Sequence, residues 1–147
     1  MGLYLCLFDG DEEIDGVEVG SYADFGTFRD TVQTCLEHGS LGSRFPTLMR
    51  HSDCDGSWSP DEAAKLHVEL DAIAQELEKL PSVPLDGRKT SVARSLGMAP
   101  TNRLECFIDV DGEPLLDGLR RLCRRSTRQR ARAAATPRPR RGETRRR

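Results

Sequence analysis

At 147 residues, 37% hydrophobic and 31% charged, the chain has room for one domain with a buried core and not for two. The net charge of −2 averages two unlike parts: residues 120–147 hold thirteen arginines and one acid, Glu143. That leaves nine basic and 23 acidic residues for positions 1–119, about +12 against −14. No apolar stretch reaches membrane-spanning length, and Leu3 to Phe8 is too short, and lacks the cationic lead, for a secretion signal; a soluble cytoplasmic protein is expected.

The continuous apolar run Gly2 to Phe8 predicts a central strand covered on both faces. Asp9 to Gly16 reads as an acidic turn region, and Val17 to Val19 as a brief strand. Ser21, with Asp24 three positions on, predicts a capped helix with Phe25, Phe28, Val32, Cys35 and Leu36 on its apolar face, ended at Gly39. Phe45, Thr47, Leu48 and Met49, with Pro46 near the start, predict a short strand. Asp53, Asp55 and Gly56 make a turn, because short acidic side chains bond their own backbone.

Ser59-Pro60-Asp61-Glu62 starts the next helix: Ser59 caps it, Pro60 suits the first helical position, and the Glu62 carboxylate can return to the cap N–H. Ala63, Leu66, Leu70, Ile73, Leu77 and Leu80 recur three and four apart and predict its core stripe. Lys65, Glu69, Asp71, Glu76, Glu78 and Lys79 predict a solvated face, and Pro81 a stop. Thr90 to Leu96 predicts a short helix closed by Gly97. Leu104 to Val110 predicts a strand running into a second acidic glycine turn, Asp109-Val110-Asp111-Gly112.

Leu115, Leu116, Leu119, Leu122 and Cys123 predict a last helix, after which the apolar periodicity stops and disorder is expected. The expected fold is α+β: one domain over residues 1–123, a mixed sheet of about three or four strands with about three or four helices, and a basic low-complexity tail over residues 124–147.

Chemistry-bearing signals are few. There is no glycine-rich phosphate loop, nucleophile elbow or paired metalloprotease histidine motif, so catalysis is not expected, nor is any cofactor. Cys6, Cys35, Cys54, Cys106 and Cys123 are odd in number and contain no C-x-x-C pair, against both a disulfide framework and a zinc site. Cys6, Cys35 and Cys106 read as small buried hydrophobes, whereas Cys54 sits in a turn.

With Gly56 at the sixth position of a calcium loop, Asp53, Asp55, Ser59 and Glu62 fall at positions three, five, nine and twelve. His51 at the first position is a poor ligand for a hard cation, and the entering segment reads as a strand. Capping and turn formation already explain the same four residues. A single-loop calcium module is thus the alternative reading of this segment, with no metal as the simpler one. A second alternative is nucleic-acid binding through the arginine-rich tail, since clustered arginines neutralise phosphates.

The blocks GLYLCLFD, DGVEVGSYADFGTFRD, GSRFPTLMRHSDCDGSWSPDEAAKL and ECFIDVDGEPLLDGL, in that order, resemble the immunity protein 70 family of bacterial polymorphic toxin systems over roughly residues 1–122. HSDCDGSWSPDE, residues 51–62, is the most specific block. The resemblance implies an α+β domain, made beside a toxin, that binds that toxin and occludes it without catalysis. The acidic body suits a basic, nuclease-like toxin domain. The exposed turns then become the expected contact region, with Asp53, Asp55, Trp58, Asp109 and Asp111 as its members.

Overall fold

The structure, a computed structural model, describes residues 2–51, 56–85 and 87–135. It begins with a hairpin in which β1 (Gly2–Asp9) pairs antiparallel with β2 (Glu12–Ser21) across a two-residue turn. Gly10 takes φ +60° there, a backbone region that disfavours residues carrying a β-carbon, and glycine as the first of the two loop residues, Gly10-Asp11, suits so tight a loop. Successive side chains alternate between faces: Leu3, Leu5 and Leu7 turn toward the helices, and Tyr4, Cys6 and Phe8 turn outward.

Three expectations are corrected by the hairpin. The first strand is covered on one face rather than two, and most of the expected turn region from Asp9 to Gly16 is strand. Cys6, expected to be buried, is exposed on the outer face.

Helix α1 (Tyr22–Thr31) starts with the expected reciprocal cap: the Ser21 hydroxyl accepts the Asp24 N–H at 3.1 Å, and the Asp24 carboxylate accepts the Ser21 N–H at 2.7 Å. A wider π-type turn, Val32–Leu36, prolongs it, and Phe25, Phe28, Val32 and Leu36 are buried against the sheet and the later helices. The Phe28 ring meets Phe107 edge to face at 5.3 Å, joining the two ends of the core.

The short strand expected over Phe45 to Met49 is instead one helical turn, α2 (Pro46–Met49). Pro46 is the reason: its missing N–H costs nothing at the first helical position, and the Glu69 carboxylate accepts the next two N–H groups, of Thr47 at 3.0 Å and Leu48 at 2.9 Å. The expected strand from Leu104 to Val110 also fails. Asn102 accepts the Glu105 N–H at 3.1 Å and starts a 3₁₀ turn, Leu104–Cys106, leaving one isolated bridge, Ile108 to Pro114. The sheet therefore has two strands among the described residues, fewer than the three or four expected, in a fold that is still α+β.

Helix α3 (Pro60–Glu78) crosses the molecule on the predicted stripe, with Leu70, Ile73 and Leu77 fully buried; each contributes roughly 1.5–3 kcal/mol by removal from water. Helix α4 (Gly87–Ser95) is the short helix expected before Gly97. Helix α5 (Leu115–Ala135) packs along α3 through Leu115, Leu116, Leu119 and Cys123. It does not stop where the apolar periodicity stops: residues 124–135, expected to be disordered, continue the helix, and residues 136–147 lie outside the described residues. An apolar hollow of about 200 Å³ remains between β1, α3 and α5, lined by Leu5, Leu48, Trp58, Leu66, Leu70 and Leu119.

Among the described residues, no helix is long and apolar enough to cross a membrane.

Candidate functional site

The turn of Asp53 and Asp55 lies outside the described residues, but its two ends are held. The His51 ring stacks on Trp58 with centroids 3.8 Å apart and planes 22° from parallel. The Trp58 indole N–H donates to the Thr47 carbonyl at 3.1 Å, and the Arg29 guanidinium donates to the carbonyls of Met49 and His51. Trp58 is half-buried against the core, so its ring closes the base of the loop rather than standing free.

The calcium spacing loses two of its groups to local structure. Ser59 and Glu62 form a reciprocal cap, with the Ser59 N–H donating to the Glu62 carboxylate at 2.7 Å and the Glu62 N–H to the Ser59 hydroxyl at 3.2 Å. His51 is engaged by the indole. The entering segment is helical rather than a strand, which removes one objection to a calcium loop and leaves these two. Among the described residues, no group of three or more His, Cys, Asp or Glu could hold a metal ion.

The second acidic turn is fully described. The Asp109 carboxylate accepts the N–H groups of Asp111 at 2.9 Å and Glu113 at 3.0 Å, so this side chain shapes the turn, while Asp111 is exposed. The Val110 N–H donates to the Glu18 carbonyl at 3.2 Å, which seats the turn against β2. The flanks of the two turns rest on different elements: α1, α2 and α3 for the first, β2 for the second.

The opposed charges of the two ends of the chain partly meet. Asp15, half-buried on the inner face of the hairpin, receives Arg121 at 3.0 Å and Arg125 at 2.9 Å from α5. Burial alone would raise its carboxyl, but the two guanidinium bonds and the Gly16 N–H outweigh that and hold it below the ordinary range. Arg121 and Arg125 also donate to the carbonyls of Gly16 and Ile14 at 3.3 Å. Arg120 bridges Asp71 and Asp117, and Arg130 pairs with Asp61. Arg124 and Arg128 make no salt bridge among the described residues, and with His67 and Thr127 they line an open groove between α3 and α5.

The face of α3 expected to be solvated is in part a set of ties. Glu69 caps α2, Glu76 takes Arg44 through two bonds of 2.7 and 2.8 Å, and Asp71 takes Arg120. Sequence reasoning also missed Glu37, which is 2% exposed. Its carboxylate accepts the backbone N–H groups of Gly42 at 3.1 Å, Arg44 at 3.0 Å and Phe45 at 3.0 Å. No local pattern marks that role, because the donors come from the loop it organises. Also missed were Tyr4 and Phe8 as surface residues; the Gly10-Asp11 hairpin turn was the available signal.

With this geometry in place, the chain can be set beside known proteins. A model of immunity protein 70 matches residues 3–134. The chain belongs to the immunity protein 70 family. The match extends past residue 119, where the four blocks end, and takes in the arginine-bearing part of α5. No curated protein and no solved structure matches. The family name points to protection against a toxin, and therefore to a toxin as partner.

Proposed function

We propose that this chain is a cytoplasmic immunity protein that binds the toxin of its own polymorphic toxin system and neutralises it by stoichiometric occlusion, without catalysis. The observation that carries this reading is the family match over residues 3–134. The acidic body supports it: a surface of one sign raises the encounter rate with a partner of the other sign, and a basic, nuclease-like toxin domain is such a partner. Occlusion requires contact area and complementary charge but no reactive group.

Of the three described residues expected at the contact, Trp58, Asp109 and Asp111, Asp111 is the exposed one, with Asp109 shaping the turn beneath it. We keep both on the toxin-facing side. Trp58 acts from behind, through its bond to the Thr47 carbonyl and its stack on His51, on the flanks of the segment that carries Asp53 and Asp55.

The test is co-expression with the toxin domain encoded beside this chain. Cells should survive with the chain and die without it. Equal killing with and without well-expressed chain sinks the proposal.

A further inference from the structure

The outer face of the hairpin carries the features of an anchored protein contact. Tyr4 is 50% exposed and Phe8 51%, with Cys6 exposed between them, so β1 presents an apolar row at every second position. Single exposed apolar residues need no explanation, but a row on one sheet face does. Val110, 38% exposed, stands beside it, held by its bond to Glu18.

The row is also ordered in advance. The Tyr4 ring lies across Gly16, where an added β-carbon would collide with it, and its hydroxyl donates to the Glu13 carboxylate. A tyrosine already fixed in place loses little side-chain entropy on binding, which is how aromatic anchors contribute most.

Acids surround the row. Glu18 pairs with Tyr4 across the strands, Glu13 pairs with Phe8, and Asp9, Asp11 and Glu12 form the tip. Among the described residues, no salt bridge neutralises any of these five; only Asp15, on the inner face, is paired within the hairpin.

This charge selects the occupant. Nucleic acid and anionic lipid would be repelled. A second copy of the chain, joined by a two-fold axis, would set the same acidic rim against itself. A basic protein surface satisfies both the aromatic row and its rim. We infer that the toxin docks here, through a basic surface that packs on Tyr4 and Phe8 and pairs with Glu13 and Glu18. This rests on the proposed function and adds where the partner sits and what chemistry it presents.

The experiment uses the full chain and the toxin domain encoded beside it, with binding measured by calorimetry at two salt concentrations. Phe8→Lys should weaken binding by at least about tenfold, the scale of a central anchor. Glu18→Lys should weaken it several-fold, more at low salt than at high. Val68→Lys, at a 69% exposed position on α3, is the control and should bind like the parent. All three should melt with the parent.

If the parent binds and Phe8→Lys and Glu18→Lys both bind within twofold of it, the docking face lies elsewhere and the inference is wrong, while the immunity reading stands. If the parent does not bind, the immunity reading itself fails. A parent that is a dimer split by Phe8→Lys would overturn the inference in favour of self-association.

Discussion

Two regions of this molecule spend acidic residues in opposite ways. Around α2, Glu37 and Glu69 turn inward and accept five backbone N–H groups between them, so their charge holds a loop in place. On the hairpin, Glu13 and Glu18 with the acids of the tip turn outward around exposed aromatics, and only Asp15 is taken up by the fold, through arginines of α5. A count of acids cannot separate these uses. Their partners can: an acid held by backbone N–H groups or by arginines of the fold is part of the scaffold, and one that meets no cation, Glu13 with its Tyr4 hydroxyl included, keeps its charge for another molecule.

The comparison breaks most visibly at Glu37. Glu37→Ala strands three backbone donors, two buried and one partly buried, and a loss of about 3 kcal/mol is expected in urea unfolding, with the slope unchanged. Toxin binding per folded molecule should stay at the parent value, because that loop is scaffold.

Arg121→Ala combined with Arg125→Ala should cost less, about 1–2 kcal/mol near neutral pH, because the arginines are half-exposed and partly screened. The pH dependence has a definite sign. The folded Asp15 carboxyl sits below its ordinary value, so its pairing stabilises fully above about pH 4 and is lost as pH falls through the lowered folded value. Thermal melts of parent and double variant should therefore converge in acid, and a constant gap down to pH 2 would contradict the assignment.

The smallest effect is spectroscopic. The hydrogen bond to Glu13, with lesser contributions from burial and nearby charge, pushes the Tyr4 phenol up to about 12. Glu13→Gln should return it toward about 10, read by ultraviolet titration in a Tyr22→Phe background. An unmoved titration would mean that the ring is not held as described.

Much of the scaffold was legible because it rests on local chemistry. The Ser21–Asp24 and Ser59–Glu62 caps are written at fixed spacing, and the α3 stripe from Ala63 to Leu77 has one period and one meaning. The lost strands failed where a residue type has two uses. Pro46 fits the start of a strand or the first turn of a helix, and the deciding partner, Glu69, is 23 residues away. From Leu104 on, the apolar residues suit a strand or a 3₁₀ turn alike, and the Asn102 side chain, by accepting the Glu105 N–H, selects the turn.

The arginine-rich segment read as disordered because its apolar stripe ends at Cys123. Asp15 and Asp61 nonetheless bind its first turns, and such long-range pairs have no local mark. At the candidate surface, the acids were legible but the aromatic row was not, because an all-apolar strand does not reveal which face will be covered.

The most direct measurement is a titration of the purified toxin domain with the full chain, following the toxin's own activity. One-to-one occlusion predicts a linear fall to zero at equal molar amounts. Undiminished activity in a severalfold excess of folded chain would contradict it.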